Sequence, residues 1–231
     1  MKLGIIGAMA DEVALLKQHT NVTESVERCG TTYTIGTLNG HDVVLVVCGV
    51  GKVNAAVCAQ VLVDCFEVTH LVFTGVAGSL NAEIDICDIV VSTDCVQHDM
   101  DASGLGYAPG VIPYQEVSFF TADDMLRSTV VRAVHEAAPE IKVFEGRIAS
   151  GDQFVSDAMA KERIVRQFGA LCCEMEGASV AQVAWLNGIP FVVVRAISDK
   201  ADGSAEMDYP SFMKQAAHHS SSIVERLMQL L

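Results

Sequence analysis

Short apolar runs alternate with amphipathic or alanine-rich stretches along the whole chain. KLGIIG (2–7), HLVFTGVAG (70–78), ICDIVVST (86–93), EIKVFEGRIAS (140–150) and FVVVRAISD (191–199) read as strands. Their β-branched apolar residues suit a sheet covered on both faces. Between them, ADEVALLKQH (10–19), the Ala- and Val-rich stretch from Gly49 to residue 66, ADDMLRSTVVRAVHEAA (122–138), SDAMAKERIVRQFG (156–169) and ASVAQVAWLN (178–187) read as helices. Acids open the first of these and Gly169 closes the fourth, as the helix dipole and the left-handed cap require. A last helix is predicted from about residue 209 to the C-terminus. Segments 32–38 and 41–47 are extended and joined by Asn39-Gly40, the dipeptide of a tight type I′ hairpin, so the sheet is mixed. Strands alternating with helices, without linker, repeat or low-complexity tract, predict one domain over residues 1–231, a three-layer α/β/α sandwich around a central mixed sheet.

Composition sharpens this picture. Of 231 residues, 51% are hydrophobic and only 19% charged, and mean hydropathy is +0.35. That is more apolar surface than a monomer of this size usually hides, and a subunit interface is the simplest outlet. The net charge of −14 repels polyanions, which argues against nucleic acid or an anionic membrane as partner. The eight cysteines show no C-x-x-C spacing and mostly fall in apolar runs, the pattern of reduced, buried thiols. No apolar run approaches the ~20 residues of a membrane span, and the apolar core after Lys2 is too short for a signal peptide. A cytoplasmic, unprocessed protein is expected.

Candidate chemistry lies where strands end, because ligands of open α/β sheets bind at the carboxyl ends of strands. GIIGAMADE has the wrong glycine spacing for a dinucleotide turn, and Asp11 and Glu12 would repel a phosphate there. Gly49 to Lys52 resembles a fragment of a P-loop, but Val53 and Val46 occupy positions that need Ser or Thr and Gly. In His98-Asp99-Met100-Asp101 too few groups converge for a metal, and a hydrogen-bonded loop histidine is expected. His218-His219 fits a solvated helix face. The carboxylates Glu12, Glu174, Glu176 and Asp199 remain, all at strand ends. Like charges gathered there cost stability unless a function holds them. Glycines at the end of the 70–78 strand would let a ligand approach the backbone, and the irregular 101–119 stretch is long enough to be functional.

The strings GIIGAMADEV, GVGKVNAA, TGVAGSL, SGDQF, EMEGASVAQVA and PFVVVRAISDKAD, in this order over nearly the whole chain, resemble the bacterial 5′-methylthioadenosine/S-adenosylhomocysteine nucleosidases. That family has the purine nucleoside phosphorylase-like fold. The resemblance implies hydrolysis of an adenine nucleoside without a cofactor or metal. Glu12 would activate water, Asp199 would assist N7 protonation, and Glu176 would hold the ribose hydroxyls, with Arg195 and Ser198 supporting. It further implies adenine stacking on Phe154, readout by the Val155 backbone, and Met175 beneath the sugar. Val76, Ala77 and Gly78 would border the substrate, with Met9, Val50 and Tyr209 around the sulfur substituent. In a homodimer, residues 102–113 would reach the neighbouring site, with Ala102, Leu105, Tyr107 and Pro113 in its pocket. Val76 and Ser79 depart from the family's usual Ser and Gly.

The chemistry needs an acid on the base side and a general base on the water side. A free Asp lies roughly three units below neutrality, so protonation at pH 7 needs about 4 kcal/mol of differential interaction. Enclosure by Phe154, Ile197 and the purine is the expected source. Arg195 beside Asp199 would work against it, so the chain is expected to turn before Asp199 and send Arg195 toward Glu12. No Lys or Arg stands between Lys2 and Lys17, and Val76 offers no hydroxyl, so water is favoured over phosphate. A phosphate-dependent phosphorylase and a non-catalytic nucleoside binder are the alternatives.

Overall fold

The computed structural model describes the backbone of residues 1–231 and every side chain except those of Glu206 and Met207. In chain order the elements are β1 (Lys2–Gly7), α1 (Ala10–His19), β2 (Asn21–Arg28), β3 (Thr31–Leu38), β4 (His41–Val47), α2 (Lys52–Phe66), β5 (His70–Ser79), β6 (Ile89–Gln97), β7 (Phe119–Thr121), α3 (Asp124–Ala137), β8 (Val143–Ser150), α4 (Ala158–Phe168), β9 (Cys172–Glu174), α5 (Gly177–Asn187), β10 (Phe191–Asp199) and α6 (Ala205–Leu230). A single 3-10 turn, Ser103–Leu105, interrupts the irregular 101–118 stretch.

The mixed ten-stranded sheet runs β10-β6-β8-β9-β5-β1-β4-β3-β2, with β7 on β6. Because β10 also pairs in parallel with β5, the strands β5, β9, β8, β6 and β10 close into a ring. β1 lies between β4 and β5, parallel to both. The Asn39-Gly40 hairpin is as predicted, both residues having positive φ (49° and 87°). Helices cover both faces. α2 and α5 pack over one apolar cluster containing Ile6, Phe73 and Val193. α3 and α6, with Leu16 of α1, pack over a second containing Ile5, Val72 and Val194. The alternation of these neighbours along β1, β5 and β10 explains why the strands read as unbroken apolar runs: both faces are buried.

Four elements differ from the sequence expectation: the short strands β7 and β9 are not predicted, nor is β2, and α6 starts earlier. β2 is an additional edge strand, almost wholly exposed, whose polar NVTESVER carries no inward apolar alternation. α6 begins at Ala205 and continues through Pro210, so Pro210 does not mark its start. His218 lies on the exposed face of that helix, but His219 is half-buried with its Nδ1 unbonded among the described residues, so the pair is not the solvated face expected. Five cysteines are buried, whereas Cys29 and Cys65 are exposed. No helix among the described residues is long and apolar enough to cross a membrane.

Candidate active site

The ends of β1, β5, β9 and β10 and the starts of α1, α5 and α6 converge on one cavity. Of the residues expected from sequence, Met9, Glu12, Val50, Val76, Ala77, Gly78, Phe154, Met175, Glu176, Ser198, Asp199 and Tyr209 line it. A smaller recess of about 240 Å³ shares Gly78, Phe154, Met175 and Asp199 with the cavity and adds Val155. Glu12 borders the larger space only, whereas Asp199 borders both. Two of the cavity's four carboxylates, Glu12 and Asp199, therefore lie in different surroundings.

Glu12 stands in the first turn of α1 and reaches back over it. Its Oε2 accepts the backbone N–H groups of Ala8 (2.6 Å) and Met9 (2.8 Å), and Oε1 accepts that of Val76 (3.2 Å). Donors at a helix N-terminus favour the carboxylate. Burial wins nonetheless and raises its pKa above the ordinary value, against the pull of Arg195 and these N–H groups.

Asp199 ends β10, where the register with β5 slips between Ile197 and Asp199. That bulge turns the last side chain out of the strand's alternation. Asp199 accepts from Ser198 Oγ (2.9 Å) and from the Ala201 N–H (2.8 Å). Burial raises its pKa, opposed by those two donors and reinforced by the charges of Asp208 and Asp202. No Arg195–Asp199 ion pair exists among the described residues. The enclosure differs in detail from that expected: Gly78 and Ala201 crowd Asp199, while Ile197 points into the core.

Arg195 is fully buried behind the cavity wall and does not line it. Its Nη2 donates to Glu174 Oε2 at 2.6 Å, its Nη1 donates to the carbonyls of Phe73 and Val194, and the guanidinium lies 4.1 Å from the Phe73 ring centroid. Its charge acts on Glu12 across this wall, but its ion pair is with Glu174. Sequence reasoning singled out Glu174 as a strand-end carboxylate without seeing its job. Glu174 also accepts from Ser150 Oγ and from the N–H groups of Glu176 and Gly177. It is the counter-ion that keeps Arg195 occupied away from Asp199.

Glu176 stands at the N-cap position of α5 but turns its carboxylate away from the helix, accepting the Gly51 N–H at 2.7 Å. Burial, then the charge of neighbouring Glu174, pushes its pKa up to about 8. Phe154, half exposed, meets Tyr209 edge to face at 5.6 Å, and the Tyr209 hydroxyl lies 3.2 Å from Met9 Sδ. These three make an apolar, polarisable rim. Cys173 and Ala8 also line the cavity and were not anticipated. The only sequence signal for Cys173 was its place two residues before Met175.

Ala102, Leu105, Tyr107 and Pro113 do not line this chain's cavity. His98 is buried against Gly151 with neither ring nitrogen bonded among the described residues, contrary to the hydrogen-bonded loop histidine expected. Asp99 is held by Lys52. No group of three or more potential metal ligands converges among the described residues.

An acid shielded from cations, a second carboxylate held by N–H donors, and an aromatic rim suit cleavage of a bond between an aromatic base and a sugar. Residues 2–229 match the family model of the phosphorylase superfamily. The chain is 38% identical to the 5′-methylthioadenosine/S-adenosylhomocysteine nucleosidase of Treponema pallidum, over all of this chain and 94% of that protein. The adenine complex of the nucleosidase of the same name from Colwellia psychrerythraea superposes with a TM-score of 0.95 at 37% identity, covering 100% of this chain and 96% of the other. The futalosine hydrolase of Helicobacter pylori superposes equally well, TM-score 0.95 at 34% identity, with 100% and 98% covered. By sequence and by fold, the chain belongs to the phosphorylase superfamily and, within it, to the 5′-methylthioadenosine/S-adenosylhomocysteine nucleosidase family.

Proposed function

We propose that this protein hydrolyses the N-glycosidic bond of 5′-methylthioadenosine and S-adenosylhomocysteine, releasing adenine and the 5-thio-substituted ribose. The carrying observation is that Asp199 borders both spaces whereas Glu12 borders the larger one only. Asp199 borders the recess that holds Phe154 and Val155, so adenine sits there with N7 toward its carboxyl. Its raised pKa and lack of a cationic neighbour leave it able to donate a proton to the departing base. Glu12 borders only the larger lobe, where it takes a proton from water attacking the opposite face of the sugar. Glu176 accepts from the ribose hydroxyls, Met175 packs beneath the ring, and Met9, Val50 and Tyr209 enclose the 5′-sulfur substituent. Val76, Ala77 and Gly78 wall the sugar, while Ser198 orients Asp199 and Arg195 biases Glu12 toward ionisation.

Water is the nucleophile because no Lys or Arg lines the cavity among the described residues, whereas a phosphate would need such partners. The test is adenine release from 5′-methylthioadenosine, S-adenosylhomocysteine and a futalosine-type nucleoside, with and without phosphate. Phosphate-independent release with free sugar as product is expected. Strict phosphate dependence with ribose 1-phosphate as product overturns the assignment, and release from the futalosine-type substrate alone overturns the substrate choice. Two copies pair through the outer face of α2 and α5, where Val53, Val57, Trp185 and Leu186 are exposed. Ala102, Leu105, Tyr107 and Pro113 of each copy then extend the apolar pocket of the other.

A further inference from the structure

Beside the cavity, a closed circuit of charged and polar groups joins three segments distant in sequence. Lys52 Nζ donates to Asp99 Oδ1 at 2.7 Å. The other oxygen of Asp99 accepts the Asp152 N–H at 3.0 Å. Asp152 Oδ1 in turn accepts the backbone N–H of Lys52 at 2.8 Å, which closes the circuit. Lys52 Nζ also donates to Gln97 Oε1 at 3.1 Å.

An isolated, partly exposed ion pair contributes little to stability. This one differs because both oxygens of Asp99 are used and because the circuit ends on a backbone donor. The pinned backbone is that of Lys52, the residue after Gly51. Gly51 adopts φ 99°, ψ 156°, a conformation that residues with a Cβ rarely take, and an added Cβ would meet Asp152 Oδ1 at 3.2 Å. So oriented, the Gly51 N–H points at Glu176 and donates to Oε1 at 2.7 Å. On its other side, Asp152 begins the loop that carries Phe154 and Val155. One circuit therefore fixes the donor that holds Glu176 and the start of the loop that carries Phe154. Asp99 keeps its charge in this setting. Burial pushes its pKa up, but Lys52 and the Asp152 N–H more than compensate and hold it ionised.

We propose that Lys52, Asp99 and Asp152 are positioning residues that aim Glu176 at the ribose hydroxyls and so set the preference for ribonucleosides over 2′-deoxynucleosides. This rests on the reading of Glu176 as the ribose ligand. None of the three lines the cavity, so they act through Gly51 and the 151–155 loop. A displacement of about 1 Å in a positioning group can cost on the order of a hundredfold in rate, and the circuit is linked to Glu176 through a single N–H.

The test compares kcat/KM for 5′-methylthioadenosine and 5′-methylthio-2′-deoxyadenosine in Lys52→Met, Asp99→Asn and Asp152→Asn, with Glu176→Gln alongside and melting temperatures throughout. Each circuit variant is expected to lower the ribo-to-deoxy ratio by about tenfold or more, through a raised KM for the ribonucleoside. Glu176→Gln should collapse the same ratio. If Glu176→Gln leaves the ratio intact, the reading of Glu176 fails. If Glu176→Gln collapses it while the circuit variants keep it, or lose both substrates equally, the positioning role fails. Asp152→Asn is isosteric at an exposed residue, so a chain that does not fold with it likewise overturns a role confined to aiming Glu176.

Discussion

At the residue scale, the site separates charges that the sequence places close together. Arg195 and Asp199 are four positions apart on one strand and would share a face if β10 were regular. The bulge before Asp199 and the ion pair of Arg195 with Glu174 keep them apart. The acids themselves were legible, because carboxylates at strand ends stand out in an apolar chain. The Glu174–Arg195 pair was not, since nothing in linear order says which of four acids meets the one buried arginine. Glu176 gives a test with a defined sign. Its pKa is raised by folding to about 8 from an ordinary carboxylate value, so the native state holds a proton that the unfolded chain releases. That contribution is complete below the unfolded pKa and is lost as pH rises through about 8. Glu176→Gln should therefore melt a few degrees higher than the wild type near pH 8.5, with the difference vanishing near pH 4. An equal difference at both pH values contradicts the raised pKa.

At the element scale, β5 shows what small residues at a strand end are for. The sequence suggested that glycines there admit a ligand to the backbone. In the structure they first make room for the two carboxylates. A Cβ on Gly75 would lie 2.7 Å from Glu12 Oε1, and one on Gly78 would lie 2.7 Å from Asp199 Oδ1. Gly75→Ala and Gly78→Ala should each lower kcat by roughly a hundredfold, far more than Ala77→Ser between them. Comparable kcat values for all three variants would show that these contacts do not position the acids. α6 braces the same region from behind. Ser220 Oγ contacts Thr74 and accepts the Gly75 N–H, while Ser221 Oγ donates to the Glu12 carbonyl. Most elements were readable from period and caps, because strands buried on both faces and helices ending at glycine leave strong signals. β2 left none: an exposed edge strand has no apolar face, and its Glu24, Glu27 and Arg28 suit an edge that must resist pairing. The start of α6 was placed near residue 209, four residues late; the helix begins at Ala205 and runs through Pro210.

At the scale of the whole molecule, the excess apolar composition finds a location. Leu186 and Val53 are 59% and 74% exposed on α5 and α2, and Leu105 and Tyr114 are 72% and 93% exposed on the 101–118 stretch. Composition announced a surplus but could not say where it lay, because helical periodicity does not separate a core face from an interface. If two copies pair through α2 and α5 as proposed, Leu186→Glu should yield a monomer by sedimentation and reduce kcat/KM, because the pocket would lose its neighbour's loop. A fully active monomer would detach the 102–113 loop from the site. The central claim is that Asp199 supplies the proton and Glu12 activates the water. It is tested most directly by measuring adenine release and nucleoside binding together in Glu12→Gln and Asp199→Asn. The account predicts that each variant loses turnover by about a thousandfold or more, in line with removal of a general acid or base, while 5′-methylthioadenosine still binds within about tenfold of wild type. Near-normal turnover in either variant would contradict it.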